Sequence, residues 1–298
     1  MRFPESGVIP VDKPAGVSSR GVVDVVARAL GTKAVGHAGT LDPLARGVVL
    51  ACVGHATKLV DYLHELPKHY TATFLLGRSS PSDDLETPVE EEPDPLRPAL
   101  AAVEAAAAAF RGDILQRPCD YSAVHVDGKR AYRLARKGRP VALEPKPVRI
   151  ERLEITAYEW PRLAVELECS SGTFVRAIGR DLAESLGTRA VMESLMRTAV
   201  GPFTLAACTP LGAIEPGSVR GLILPPADAV AHLPRVVLDD DCLPRAVRGF
   251  LLPLPDQRVI LPEASAIAAL DASGQLVGIL KRLDTGSYRL RPNFLGEG

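Results

Sequence analysis

Residues 36–53 read Gly-His-Ala-Gly-Thr-Leu-Asp-Pro-Leu-Ala-Arg-Gly-Val-Val-Leu-Ala-Cys-Val, which places one carboxylate, Asp42, shortly before an apolar run. Pro43 disfavours the helical region for the residue that precedes it, so Asp42 is expected on an extended or turn segment. The run from Val48 to Val53 has the length and composition of a buried β-strand. A carboxylate on a glycine-flanked loop at the entrance to a strand can reach into a cleft, although Asp-Pro pairs are also common in ordinary turns.

The charge of the chain is balanced overall but unevenly distributed. The 298 residues carry a formal net charge of −1 and have the composition of a globular protein. Acidic residues crowd into 83–94, whereas 129–139 is basic and contains no acidic residue. A surface that binds nucleic acid is therefore compatible with the neutral total.

Cysteine usage and hydropathy exclude several classes of protein. The five cysteines are scattered and form no Cys-x-x-Cys pair, which fits neither a disulfide framework nor a zinc site. The N-terminus lacks the apolar segment of a signal peptide, and no apolar run is long enough to span a bilayer. We therefore expect a cytoplasmic protein without a metal site.

Apolar periodicity predicts alternating strands and helices up to about residue 200. The acidic, proline-rich segment 78–98 is predicted to be a solvated loop. Period-two patterns predict strands, and apolar residues at helical spacing predict helices that end near glycines. The strands are expected at 48–53, 69–77 and 163–169, and the helices at 19–30, 98–110 and about 176–186.

The last part of the chain differs in character. Residues 202–234 are rich in proline and glycine and predict a connection with little regular structure. Short apolar pieces follow, and residues 271–274, Asp-Ala-Ser-Gly, predict a hairpin turn between two of them. The pieces lie at 235–238, 258–261, 266–270, 276–281 and 288–290. We expect a first domain over 1–234 and a small β-rich domain over 235–298.

Two further residues could act with Asp42. Arg176 follows a predicted strand and a Gly-Thr-Phe turn, and its cation could hold a carboxylate ionised; pairing with Asp181, one helical turn later, is equally compatible with the sequence. Tyr70 begins a strand, and by periodicity alone it is a half-buried core aromatic.

Taken together, these motifs resemble those of the bacterial tRNA pseudouridine synthases that act on the TΨC loop. The resemblance covers most of residues 7–201 in order, and Phe174 stands where many relatives have tyrosine. Beyond residue 235 it is weak. The matching segments are 11–19, 36–47, 54–58, 68–72, 121–139, 169–176 and 195–198.

The resemblance implies an isomerisation that uses neither cofactor nor metal. Uridine would be cut from C1′ of its ribose, turned, and rejoined through carbon. Asp42 would be the catalytic residue, acting either as a nucleophile or as a base on the sugar. Arg176 would pair with Asp42, and Tyr70 would stack on the base, with its hydroxyl as a candidate to help remove the last proton.

The resemblance also implies a set of residues that bind RNA. His37 would enter the RNA loop, and Leu195 with Arg197 would line the uridine pocket. The segment 121–147, here called the thumb segment, would close over the RNA. The remaining RNA-binding candidates are Lys13, Lys58, Lys129, Arg130 and Tyr132.

The implied fold is α+β, with a catalytic domain built on a mixed, largely antiparallel sheet and a C-terminal domain that is PUA-like. The implied partner is tRNA, modified at the uridine in position 55, and no obligate protein partner is evident. Three alternatives remain open at this stage: an RNA-binding protein that folds tRNA without catalysis, an Asp-dependent nucleosidase, and a synthase acting on ribosomal RNA. The second alternative includes a glycoside hydrolase, since both kinds of enzyme cleave at C1′. Glycosidases generally need two carboxylates that flank the bond, and the sequence places only one clearly.

Overall fold

The computed structural model describes residues 6–122, 124–126, 129–135, 143–239, 241–251, 266–284 and 286–294. Within these ranges the strands are β1 Gly7–Lys13, β2 Val35–Ala38, β3 Arg46–Val53, β4 Lys68–Leu76, β5 Arg78–Ser79, β6 Glu90–Glu91, β7 Gly112–Gln116, β8 His125–Val126, β9 Lys129–Arg130, β10 Lys146–Glu159, β11 Arg162–Cys169, β12 Ala190–Val200, β13 Phe203–Thr204, β14 Thr209–Pro210, β15 Arg235–Val237, β16 Ala266–Leu270, β17 Leu276–Arg282 and β18 Tyr288–Asn293. The α-helices are α1 Ser19–Leu30, α2 Val60–Glu65, α3 Leu100–Ala109, α4 Ala131–Ala135, α5 Val175–Ser185, α6 Pro226–Ala229 and α7 Cys242–Val247. Short 3-10 helices cover Gly54–Leu59, Leu205–Ala207, Leu211–Ala213 and Val219–Leu222.

One large sheet organises the described part of the first 234 residues. Its strand order is β14-β1-β3-β12-β4-β11-β10-β7, with β2 beside β3 and β13 beside β12. The β12–β3 and β1–β14 pairs are parallel, and the other pairs are antiparallel. The predicted α+β fold with a mixed, largely antiparallel sheet is confirmed.

The local sequence explains why α1 and β3 form where they do. Ser18 caps α1 by accepting a hydrogen bond from the Gly21 amide, and Gly31 ends it in the left-handed conformation at φ 67°. From Gly47 onward every residue of β3 is buried. Gly47 itself lies against the backbone of Arg197, where a Cβ would be 2.2 Å from the Arg197 carbonyl oxygen. Glycine thus allows β12 to pack closely beside the start of β3.

Helix α5 crosses the sheet over β4 at a glycine contact. A Cβ on Gly179 would lie 2.1 Å from a ring carbon of Phe74, which is itself buried. The close approach fixes α5 on the sheet, and Arg176 at its first turn is held above the sheet surface.

The acidic segment 78–98 differs from its predicted solvated state. Ser82 and Asp84 are buried, and Asp84 forms an isolated bridge with Met192 in β12. The acidic, proline-rich composition indicated a solvated loop, and most carboxylates of the segment are exposed. Asp84 is buried all the same, because a charged residue can be buried where a cation compensates it.

In the predicted helix at 98–110, Val103 and Ala107 are buried while Leu100 is exposed.

The C-terminal strands form a second sheet in the order β15-β16-β17-β18. The predicted turn is present, since Asp271 donates its amide to the Gln275 carbonyl at 3.0 Å and Gly274 has φ 82°. The strand expected at 258–261 lies outside the described residues. This sheet shares an apolar cluster with the first 234 residues, formed by Ala268, Leu270, Leu276 and Ile279 together with Val8, Leu50, Leu59 and Tyr62.

Among the residues that the structure describes, no helix is both long and apolar enough to cross a membrane.

Candidate active site

Asp42 lies on the loop between β2 and β3, residues 39–45, here called the Asp42 loop. Its Oδ2 atom is 3.0 Å from Nε of Arg176, and the Asp42 side chain is 33% exposed. Two cavities, of about 540 and 830 Å³, meet at this ion pair, because both are lined by Asp42 and Arg176. The carboxylate is therefore accessible from a cleft, as the sequence predicted for it.

The buried guanidinium of Arg176 contacts four oxygen atoms, two of carboxylates and two of carbonyls, from three segments of the chain. Besides Asp42, its Nη1 donates to the Ser82 carbonyl at 2.8 Å and lies 3.4 Å from Oδ2 of Asp84, and its Nη2 donates to the Tyr121 carbonyl at 3.0 Å. This arrangement resolves the sequence ambiguity in favour of Asp42, since Asp181 instead pairs with Arg180 at 2.8 Å.

Burial and charge act against each other on the Asp42 carboxyl. Removal from water raises the pKa of Asp42 above its ordinary value, while the guanidinium of Arg176 lowers it and Asp84 raises it further. The carboxylate therefore titrates at a higher pH than an exposed aspartate does, and its ionised form depends on Arg176.

Buried side chains hold the Asp42 loop by its backbone. Arg197 donates from Nε to the Val48 carbonyl at 2.7 Å and from Nη2 to the Gly39 carbonyl at 3.2 Å. The ammonium of Lys13 donates to the carbonyls of Val17 at 2.7 Å and of Ala45. Both side chains are essentially without exposed surface. Arg197 also lines the smaller cavity together with Leu195, as the resemblance implied. Lys13, expected as an RNA contact, has no exposed surface, and we propose that both side chains support the loop.

Lys13 and Lys68 are unusual lysines. Burial, with a smaller contribution from the positive charge of Arg197, lowers the pKa of each to about 8, although the Asp42 carboxylate acts in the opposite direction on Lys13. Lys68 lies at the wall of the smaller cavity, where it donates to the His64 carbonyl at 2.7 Å and to the Ser171 hydroxyl at 2.8 Å.

Tyr70 and Leu195 line the smaller cavity beside Asp42, on the neighbouring strands β4 and β12. Burial raises the pKa of Tyr70, so its hydroxyl is protonated at neutral pH, although the positive charge of Arg197 acts in the opposite direction. Phe174 lines the same cavity. The cavity thus combines aromatic walls with a carboxylate, and its volume lies in the roughly 300–1,000 Å³ range of pockets that bind small ligands.

His37 and Tyr132 line the larger cavity on the other side of Asp42. Burial lowers the pKa of His37, so the imidazole is neutral at neutral pH. Lys58 is exposed and lines neither cavity. Lys129 and Arg130 form β9 in the thumb segment, and their side chains fall outside the described part of the structure.

Sequence reasoning missed Asp84. It lies in a segment whose composition indicated a solvated loop, and only the contact with Arg176 gives it a place in the site. Its Oδ1 accepts hydrogen bonds from the Ser82 hydroxyl at 2.5 Å and the Glu86 amide at 2.9 Å.

The described residues contain no cluster of three or more His, Cys, Asp or Glu side chains placed to hold a metal ion.

Comparison with solved structures supports the fold described above. A chain of a Cbf5-Nop10-Gar1 complex superposes with a TM-score of 0.75 at 23% identity, covering 97% of this chain and 85% of that chain. A chain of an H/ACA RNP bound to a substrate RNA containing 2′-deoxyuridine gives a TM-score of 0.74 at 21% identity, with the same coverage of both chains.

Curated sequences give closer matches. The protein is 40% identical over 253 residues to tRNA pseudouridine synthase B of Gloeobacter violaceus, covering 83% of this chain and 86% of the relative. It is 37% identical over 285 residues to the enzyme of the same name from Mycobacterium bovis, covering 94% of this chain and 93% of the relative. The family model described as TruB family pseudouridylate synthase (N terminal domain) matches residues 27–175. With matches that run through the Asp42 loop to the first turn of α5, the chain belongs to the TruB family of pseudouridylate synthases.

Proposed function

We propose that this protein isomerises uridine to pseudouridine in the TΨC loop of tRNA, at position 55. The observation that carries the proposal is the 3.0 Å ion pair between Asp42 and Arg176, placed where two cavities meet and beside Tyr70. Curated relatives similar over most of their length are named tRNA pseudouridine synthase B, which supports tRNA as the substrate.

The reaction exchanges the N1–C1′ bond of uridine for a C5–C1′ bond, and the proton lost from C5 is balanced by one that N1 takes up. No atom is oxidised, so the rearrangement needs no redox partner. Asp42 is the group at C1′, acting as nucleophile or as base on the sugar. Tyr70 provides a ring on which the base stacks, a contact worth about 1–3 kcal/mol per base.

The enclosure of Asp42 requires the target nucleotide to leave the RNA stack. Base flipping of this kind costs a few kcal/mol and is cheapest for a nucleotide in a loop. The cavities on either side of Asp42 offer space for an extruded nucleotide and its neighbours. Lys129, Arg130 and Tyr132 of the thumb segment, with Lys58 and His37, are the proposed RNA contacts.

The domain organisation is part of the proposal. Residues 1–234 form the catalytic domain, with the thumb segment as an insertion, and residues 235–298 form a PUA-like unit. The start of β15 at Arg235 supports this boundary.

A nucleosidase fits the site less well. Asp84 is the second carboxylate near Arg176, but it is 1% exposed and faces Arg176. It cannot flank a glycosidic bond together with Asp42, as paired carboxylates do in glycosidases.

The decisive experiment follows tritium release from a tRNA transcript that carries [5-³H]uridine, in the presence of a metal chelator. Wild type is expected to release tritium from the TΨC-loop uridine without freeing uracil, and Asp42→Asn is expected to bind tRNA with unchanged affinity but not to turn over. Asp113→Asn, an exposed carboxylate paired with Arg149, serves as the matched control. Substantial turnover by Asp42→Asn would remove Asp42 from the mechanism, and binding without turnover by wild type would favour a tRNA-folding protein or a ribosomal RNA substrate.

The thumb segment has its own test. Replacing Lys129 and Arg130 with glutamine should weaken tRNA binding and reduce the slope of log K against log salt, since each lost phosphate contact removes about 0.7–0.9 of slope. Arg152→Gln is the control, because Arg152 pairs with Glu154 and Glu166. An unchanged slope in the double variant would show that these residues do not contact phosphate.

A further inference from the structure

The buried hydroxyl of Ser19 hydrogen-bonds both the amide and the carbonyl of Leu41, the residue that precedes Asp42. Its Oγ accepts a hydrogen bond from the Leu41 amide at 2.8 Å and donates one to the Leu41 carbonyl at 3.0 Å. Ser19 is 2% exposed and opens α1, so its position is set by a helix that packs in the main core. One side chain therefore fixes both polar backbone groups of Leu41.

The peptide on the other side of Asp42 is fixed as well. The Pro43 carbonyl accepts a hydrogen bond from the Gly16 amide at 2.7 Å, and the Asp42 carbonyl accepts one from the Ala45 amide at 3.1 Å. Proline also restricts its own φ angle. Asp42 thus sits between two anchored residues, and the rotation of its backbone depends on both anchors.

We propose that Ser19 is a positioning residue for the isomerisation: its hydroxyl sets the orientation of the Asp42 backbone, and through it the distance from the carboxylate to C1′ of the substrate. This inference rests on the function proposed above for Asp42. Ser19 lies at the wall of the larger cavity but is 2% exposed, and both hydrogen bonds of its hydroxyl go to Leu41, through which it acts.

Loss of the Ser19 hydroxyl should change the reaction rate, because other side chains still hold the Asp42 loop in place. Without the Ser19 hydroxyl, the Gly39 and Ala45 ends of the Asp42 loop are still held by Arg197 and Lys13. The loop stays in place, but the buried Leu41 amide and carbonyl lose the partner they have in Ser19, and unpaired buried groups favour a rearranged backbone. A displacement of about 1 Å at a reacting group can cost about 100-fold in rate.

The neighbouring serine supplies a matched control. Ser18 is exposed and accepts a hydrogen bond from the Gly21 amide at 3.0 Å, which caps the same helix. Both hydroxyls lie at the start of α1, but that of Ser18 caps the helix, whereas that of Ser19 bonds the Asp42 loop.

The test measures the single-turnover rate of tritium release, the Kd for tRNA and Tm for wild type, Ser19→Ala, Ser19→Cys and Ser18→Ala. Ser19→Ala is expected to lose about 10- to 100-fold in rate with Kd unchanged within about twofold. Ser19→Cys keeps a side chain of similar size but offers only a weak donor and acceptor, and it should also lose rate. Ser18→Ala should lower Tm without changing the rate.

Three results would overturn the proposal. Rates within about twofold of wild type in both Ser19 variants would leave the hydroxyl a purely structural role. An equal rate loss in Ser18→Ala would assign the effect to the helix start, and a parallel loss of tRNA affinity would assign it to RNA binding. If Ser19→Ala does not fold, a wild-type rate in Ser19→Cys still refutes the inference. Failure of wild type to release tritium would instead refute the proposed function.

Discussion

Replacing Asp84 with asparagine removes a negative charge 3.4 Å from Arg176 while keeping the size of the side chain. An asparagine oxygen can still accept from the Ser82 hydroxyl and the Glu86 amide, so the segment retains its local hydrogen bonds. Arg176 loses one of its acceptors, and Asp42 loses a nearby negative charge. Both changes act on the reacting carboxylate.

The expected magnitude follows from these contacts. Removing one partner of a buried ion pair costs about 3–5 kcal/mol where the other charge is left unpaired. Arg176 keeps Asp42 as a partner, so we expect a smaller effect, roughly 10- to 100-fold in rate. The negative charge of Asp84 raises the pKa of Asp42. Removing that charge lowers the pKa of Asp42, so the acid limb of the pH–rate profile should move to lower pH.

The assay is single-turnover tritium release measured across the acid range, with Asp83→Asn as the control. Asp83 pairs with Arg180 at 2.9 Å and has φ 59°, a conformation that asparagine tolerates. It should lower Tm without moving the acid limb. An acid limb in Asp84→Asn that stays in place or moves to higher pH would refute the reasoning, as would an unchanged rate on the plateau.

Three further predictions test the packing, the buried lysine and the aromatic wall. Gly179→Ala should lower the free energy of unfolding by about 1–3 kcal/mol, because the new Cβ would lie 2.1 Å from the Phe74 ring. The control is Gly212→Ala, where a Cβ meets open space and Tm should not change. Equal Tm values for the two variants would contradict the close contact. Between pH 8 and 10.5, Lys13 keeps its proton in the unfolded chain but has released it in the folded protein. The free energy of unfolding of wild type should therefore rise with pH relative to that of Lys13→Met. A difference between the two proteins that stays flat or falls with pH in denaturant titrations would contradict this. Tyr70→Phe should keep tRNA affinity within about threefold, since the ring remains for stacking. It should lose at least about tenfold in single-turnover rate, because the hydroxyl proposed to help remove the last proton is gone. An unchanged rate would show that Tyr70 serves only as a stacking surface.

Local patterns in the sequence predicted much of the architecture. The alternation in β4 and β11, the apolar run of β3, and the capped helix α1 are all present where periodicity and end signals indicated. These elements were predictable because each bears its own pattern of buried and exposed positions within a few residues. The motif around Asp42 likewise indicated a carboxylate at a strand entrance, and the resemblance indicated its pairing with Arg176.

The tertiary structure alone decided how that carboxylate is held. Arg176 meets the Ser82 carbonyl across 94 residues, and Ser19 meets Leu41 across 22, and no local pattern records such contacts. Composition indicated that Asp84 is a solvated acid, and the resemblance made Lys13 a candidate for RNA contact and Arg197 a candidate for the wall of the uridine pocket. Each is buried, because a charged group can leave water where carbonyls or an opposite charge replace its hydration. The sequence by itself therefore indicated the carboxylate for which we propose the catalytic role, and the packing of distant segments determined how that carboxylate is oriented and in which direction its pKa is shifted.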